Sequence, residues 1–360
     1  MQQAGQPPSA AATTATISSP VAEERILFAI NPLEIKTFFP EGIPEFGSRE
    51  CIQWEVHDTR FISGEEWESL LQDFSPTVIV SAWTTPRISE DILNSPWFSV
   101  KYICHLPGSV KKLLPPLAFE KDLLISNWGS LASDAVAEHA LLLVMACLRR
   151  LPQWNPVMRL EGSDYQEQRV EMQTRTLYGK RVGLHGFGKV ARELVNLLKP
   201  FKVKLSAYSE GVPDAFMREH GVKPCDSLTR LFAENQVLIE CEALTQENQG
   251  SVDAHVLEQL DTGDVLINVG RGAIIDEDAL LHRIQAGGIR VGLDVFSSEP
   301  IGADSPFWQV PDVLYSPHIA GPAQDGFGLC SKLARANIDR YLKGLPIEAQ
   351  VTLEEYQRST

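Results

Sequence analysis

The sequence predicts an α/β protein of two doubly wound parallel-sheet domains with a cleft between them. Three observations carry this. The chain has 360 residues, which suggests two domains and ample core. Short apolar, β-branched runs alternate along it with amphipathic stretches, the pattern of parallel strands covered on both faces. Half-way along, a glycine turn in HGFGKVARELV (185–195) joins an apolar run to a helical one.

In chain order, ILFAI (26–30) and TVIVSAW (77–83) read as buried strands. Between them SGEEWESLLQDF (63–74) reads as a helix, capped by Ser63 and acidic in its first turn. VKYICHL (100–106) and DLLISN (122–127) are two more strands of a first domain spanning 23–128. SDAVAEHALLLVMACLRRL (133–151) is a long helix with Ser133 as its expected cap and Arg149 and Arg150 at its end. It is apolar nearly all round, so it is expected between domains or subunits.

The second domain, 129–321, has candidate strands at RVGLHG (181–186), KLSAY (204–208), VLIEC (237–241), DVLINVG (264–270), RVGLDVF (290–296) and VLYSPH (313–318). Asp276 should cap the helix DEDALLHRIQAGG (276–288), and Gly287 should end it in the left-handed conformation. The segment 322–344 is a helix with Cys330, Ala334, Ile338, Tyr341 and Leu342 on one face, and 322–360 is expected to complete the first domain. Residues 1–22 are small, polar and proline-bearing. Without a basic start or an apolar centre they read as a disordered tail, not a secretory signal.

Hydrophobic residues make up 44% and charged residues 22%, an ordinary globular balance. A formal net charge of −15 repels phosphate backbones and anionic lipid, so neither nucleic acid nor a membrane is an expected partner. No apolar run reaches the roughly 18 residues of a span. The six cysteines form no C-x-x-C and no regular framework. They read as reduced and structural in a cytoplasmic protein, and no metal site is expected.

Gly186, Gly188 and Ala191 give G-x-G-x-x-A after a strand and at the opening of a helix. In that context the glycines let the backbone turn tightly against a pyrophosphate, and the second domain reads as a Rossmann-like dinucleotide site. The ribose-binding acid belongs at the end of the second strand, about 20 residues on. Ser209 stands there, with Glu210 after it. The cofactor is therefore expected to be NAD, with a shallow preference that leaves NADP open.

Charged groups fall at three later strand ends, where ligands bind in an open α/β sheet: Arg271 in NVGRGAIIDED, Asp294 and Glu299 in GLDVFSSEP, and His318 in YSPHIAG. With ASDAVAEH and the glycine turn, these stretches resemble the D-isomer-specific 2-hydroxyacid dehydrogenases, in order and with matching spacings from about residue 100 to 340. The resemblance implies two Rossmann-like or flavodoxin-like domains, NAD(P)-dependent hydride transfer between nicotinamide and a D-2-hydroxy acid or 2-oxo acid, and a homodimer. It makes Arg271 the substrate arginine, which also borders the cofactor, and Glu299 and His318 the acid–base pair. The backbone of Lys189 and Val190 meets the pyrophosphate, and Val269, Asp294 and His318 line the nicotinamide side.

The chemistry agrees. A planar guanidinium can grip a carboxylate and polarise a ketone, and a carboxylate-paired histidine can supply the proton that hydride transfer requires.

The chain departs from that family in the loop HLPGSVK (105–111), where Pro107 has no N–H and Lys111 stands where an acid is usual. His105, Gly108, Ser109 and Lys111 are the candidate substrate contacts, and Lys111 with the adjacent Lys112 suggests a substrate with extra anionic or hydroxyl groups. Trp83 and Trp128 are expected in packing, and His139 in a structural hydrogen bond. Two rivals remain: a dinucleotide-sensing binding protein of the same fold, like the corepressors of transcription, and a formate-type dehydrogenase that needs no proton donor.

Overall fold

The computed structural model describes residues 24–43, 52–310 and 313–358; the tail expected at 1–22 lies outside them. The first sheet holds β1 (Glu24–Ala29), β2 (Ile52–His57), β3 (Val78–Ser81), β4 (Tyr102–His105) and β5 (Leu124–Ser126), all parallel, in the order β2-β1-β3-β4-β5. The second holds β6 (Arg181–His185), β7 (Lys204–Tyr208), β8 (Lys223–Pro224), β9 (Val237–Glu240), β10 (Val265–Asn268), β11 (Arg290–Leu293) and β12 (Val313–Tyr315). It too is parallel, in the order β12-β11-β10-β9-β6-β7-β8. The first order is flavodoxin-like and the second Rossmann-like. In each the winding reverses once, and ligands bind beyond the carboxyl ends of the strands at such a reversal. In the second sheet it lies between β6 and β9.

Both faces of the inner strands of each sheet are buried, which explains their unbroken apolar runs. Along β1, Leu27 and Ala29 enter a core with Trp67, Leu71, Ile79 and Ile103, while Ile26 and Phe28 enter the opposite one with Tyr102, Cys104 and Ile338. In β10, Val265 and Ile267 face one core and Leu266 the other.

Local signals act as their chemistry dictates. Ser63 Oγ accepts from Glu66 N at 3.2 Å and Glu66 Oε2 accepts from Ser63 N at 2.8 Å, a complete capping box. Asp276 caps the helix Glu277–Gln285, and Gly287 follows with φ +79°. Ser133 is not the cap of the long helix Ser133–Arg149. Its N–H bonds Ser130 O at 2.9 Å in the preceding turn, which draws Ser133 into the helix, and Ala132 takes the cap position. That helix lies on the second sheet, with Ala137, Ala140, Val144 and Cys147 in its core and Leu142 and Met145 turned outward and exposed.

The C-terminal segment packs on the first sheet. The helix Phe327–Leu342 buries Cys330, Ala334 and Ile338 there, Gln350 bridges Ser126, and Tyr356 donates its hydroxyl to Leu114 O at 3.0 Å. Among the described residues no helix is long and apolar enough to cross a membrane.

Candidate active site

The glycine turn follows β6. Gly186 has φ +96°, and a Cβ there would stand 2.6 Å from the backbone of Glu242, so only glycine fits. Gly188 differs: nothing lies within 4 Å of where its Cβ would be. It precedes the helix Lys189–Leu198, whose first turn receives no side-chain cap. Ala191 is fully buried beneath. An open glycine before an uncapped helix N-terminus suits a pyrophosphate, which the amides of Lys189 and Val190 would meet. Val269, just after β10, is buried in the sheet's core.

The reactive groups stand at neighbouring strand ends. After β10, Asn268 fastens the turn, its Oδ1 accepting from Gly270 N at 3.0 Å and its Nδ2 donating to Arg271 O at 3.1 Å. A Cβ on Gly272 would fall 1.9 Å from Phe296 C, so this turn presses backbone to backbone on the loop that carries Glu299. Arg271 is half-buried. Burial pulls its pKa down, against the pull of the nearby Glu299 charge.

His318 follows β12 in the left-handed region, φ +52°, unusual for a residue with a side chain. Its N–H bonds Asp294 O at 2.9 Å and Ser316 O at 3.1 Å, which holds the strained backbone. Its Nδ1 lies 2.6 Å from Glu299 Oε2, and Glu299 Oε1 accepts from Phe296 N at 3.0 Å. The dyad is therefore built, with the ring nearly half exposed at 48%.

Asp294, expected against the nicotinamide, is instead wholly buried. Its Oδ1 accepts from Ser316 Oγ at 2.6 Å and Ile319 N at 3.0 Å, and its Oδ2 from Ala320 N at 2.9 Å. His139 Nε2 lies 2.9 Å from Ser316 Oγ and 3.4 Å from Asp294 Oδ1. Burial pushes the Asp294 carboxyl up, but the bonds from His139, Ser316 and the two amides outweigh it and hold it below its usual range. Asp294 braces the turn that presents His318.

The 105–111 loop is pinned. His105 is buried, its Nδ1 2.9 Å from Ser81 Oγ, and burial drives its pKa down to about 4 despite a backbone bond with Ser109. It supports the loop as a neutral ring and does not open to a substrate. Gly108 lies flat on Trp128, whose Nε1 would be 2.4 Å from an added Cβ, and its carbonyl accepts from Asn127 Nδ2 at 2.5 Å. Ser109 Oγ accepts from Lys111 N at 3.4 Å. Lys111 Nζ donates to Gln357 O at 3.1 Å. Burial, and then the charge of Arg271, lower the Lys111 pKa, so the two cations bear on one region. Trp83 is 53% exposed and packs on Phe38 and Phe327.

Sequence reasoning did not single out Glu240 and Glu242. Ser209 donates to Glu242 Oε2 at 2.5 Å, and buried Glu240 pairs with His185 across β9 and β6. The available signal was a carboxylate ending an otherwise apolar strand, VLIE, opposite a histidine just before the glycine turn.

A Rossmann-like sheet with an open glycine turn thus carries an arginine and a Glu–His dyad together at its strand ends, the groups that nicotinamide-dependent hydride transfer to a ketone would need. Residues 141–320 match the family model described as D-isomer specific 2-hydroxyacid dehydrogenase, NAD binding domain. The chain belongs to this family, and the domain binds NAD(P).

The D-3-phosphoglycerate dehydrogenase of Archaeoglobus fulgidus is 28% identical over 243 residues, covering 67% of this chain and 45% of that protein. The glyoxylate reductase of Thermofilum pendens is 25% identical over 318 residues, covering 86% and 92%. The chain spans about half the length of the D-3-phosphoglycerate dehydrogenases it matches. The holo form of Rhodotorula graminis D-mandelate dehydrogenase superposes with a TM-score of 0.77 at 19% identity, covering 92% of this chain and 98% of that one, a likeness of fold.

Proposed function

We propose that the chain interconverts a 2-oxo acid and its D-2-hydroxy acid with NAD as cofactor. The observation that carries this is the His318–Glu299 dyad at 2.6 Å, within electrostatic reach of Arg271. Bound nicotinamide supplies or accepts the hydride. Arg271 holds the substrate carboxylate and polarises the ketone. His318 gives its proton to the ketone oxygen, and Glu299 fixes the ring and favours its charged form. Gly186, Gly188 and the amides of Lys189 and Val190 hold the pyrophosphate.

The Lys111 ammonium, held on Gln357 O, feels the charge of Arg271, so a second anionic group on the substrate would be favoured there. The exposed apolar side chains of the 142–170 region support a homodimer. The test is NADH consumption across a panel of mono- and dianionic 2-oxo acids, with Arg271→Ala as control. Turnover that Arg271→Ala abolishes is expected, and Lys111→Glu should raise KM more for dianions than for monoanions. Firm NADH binding without turnover of any acid would replace the enzyme reading with a sensor.

A further inference from the structure

A chain of contacts runs through the crevice where the second sheet reverses. His185 ends β6 and pairs in register with Glu240 at the end of β9 and with Tyr208 at the end of β7. His185 Nδ1 bonds Glu240 Oε2, and both side chains are buried. Glu240 Oε1 accepts from Glu242 N at 2.8 Å. Glu242 Oε1 accepts from Ala243 N at 3.0 Å, and its Oε2 from the Ser209 hydroxyl at 2.5 Å. Gly186, at the first turn of the dinucleotide loop, lies on the Glu242 backbone.

Every link in this chain fixes the next. The buried His185–Glu240 pair anchors the peptide of Glu242, and that peptide aims the Glu242 carboxylate at the strand end where the ribose of a dinucleotide lies. The carboxylate already accepts a hydroxyl there. The Ser209 Oγ occupies one of its oxygens at the short distance expected of a charged acceptor.

We propose that Glu242, reaching over from the loop after β9, is the acceptor for the adenosine ribose hydroxyls, replacing the carboxylate that β7 lacks at Ser209. His185 and Glu240 position it. A ribose hydroxyl meets a fixed carboxylate, and a ribose 2′-phosphate meets a negative charge that the surrounding bonds hold in place. The chain therefore selects NAD over NADP. This rests on the dinucleotide-binding reading of the domain and deepens it. It also replaces the expectation of a shallow preference set by Ser209 and Glu210, because the missing acid is supplied by a loop distant in sequence.

The experiment is direct binding of NADH and of NADPH, each by calorimetry, to wild type, Glu242→Gln and Ser209→Ala, with a thermal melt of each apo protein. Wild type should bind NADH more than tenfold more tightly than NADPH. Glu242→Gln, isosteric and uncharged, should cut that ratio by about tenfold or more, the scale of a hydrogen bond to a charged group. Ser209→Ala removes one bond that holds the carboxylate but not its charge, so it should lower the ratio by less than Glu242→Gln does. An unchanged ratio in a folded Glu242→Gln would overturn the proposal and leave the dinucleotide site intact. Failure of wild type to bind either dinucleotide would overturn the underlying reading as well. Should Glu242→Gln melt far below wild type, Glu242→Asp provides the same test. It keeps the charge but withdraws it by one methylene, and so should weaken NADH without admitting NADPH. Equal binding of both cofactors by that variant would also sink the idea.

Discussion

His318 and Asp294 divide the labour at the strand ends. His318 is the exposed partner of a built dyad, so His318→Ala should lower kcat for ketone reduction by ~10²-fold or more. Binding of NADH should hardly change, because the ring's role is toward substrate. Turnover unaltered in that variant would remove the mechanism. Glu299→Gln keeps a hydrogen-bond acceptor but loses the charge, so its loss of kcat should be the smaller of the two.

Asp294 acts through structure, and its effect depends on pH. Its folded-state pKa lies below the usual carboxylate value, so it stabilises the fold above the unfolded pKa of about 3.9. That contribution fades as pH falls through the depressed value. Asp294→Asn should therefore cost about 1.5–3 kcal/mol at neutral pH, the scale of hydrogen bonds to a charged acceptor. Urea midpoints of the two proteins should then converge as pH is lowered below about 4. A gap that is constant with pH would assign the loss to packing rather than to the carboxylate charge.

At the scale of elements, the two glycines of the dinucleotide turn make a contrast. Gly186→Ala meets both a positive φ and the Glu242 backbone at 2.6 Å, and backbone cannot yield as a flexible side chain can. Gly188→Ala adds a methyl to open space at φ −82°. Thermal melts should show Gly186→Ala destabilised by about 1–3 kcal/mol or more, with Gly188→Ala near wild type. Both should weaken NADH, Gly188→Ala only because its methyl enters the cofactor's own space. A Gly188→Ala protein that binds NADH normally would show that the pyrophosphate does not approach this turn.

The glycine turn was legible because its signal is local: two glycines, a strand before and a helix after. The apolar strands were legible for the same reason, since burial on both faces leaves runs such as ILFAI and VLIN. The strands β2 and β8 were not. IQWEVH is an edge strand with four of its six residues exposed, so no apolar run marks it, and β8 is two residues long and contains a proline. The short helices Pro32–Phe38 and Leu353–Arg358 carry too few periods to be read. The role of Glu242 was hidden for another reason. It depends on the register of β9 against β6 and on a contact from residue 242 to residue 209, which no local pattern encodes.

For the whole molecule, an exposed apolar surface begins on the long helix. Leu142 and Met145 are exposed on its outer side, Trp154 and Val170 are exposed on the two helices that follow, Leu151–Val157 and Gly162–Glu171, and Met158 is exposed at the end of the first of these. The second of these buries no residue of its own. A helix of ten residues without a buried face is marginal in water, and a partner surface would stabilise it. The region is nonetheless fastened at its base. Arg290, buried at the start of β11, donates to Cys147 O at 3.3 Å, Leu148 O at 2.9 Å and Gln173 O at 2.8 Å, tying both ends of the segment to the sheet. A rigid base and an apolar outer surface fit a two-fold interface, the commonest closed arrangement.

Sedimentation equilibrium should therefore find a dimer. Because apolar burial drives it, added salt should not dissociate it, although a net charge of −15 repels a second copy at low ionic strength. Met158→Glu combined with Val170→Glu should yield a monomer that still binds NADH, since neither residue belongs to the dinucleotide turn. A wild type that sediments as a monomer would refute the interface. A dimer untouched by the paired substitution would place it on another surface.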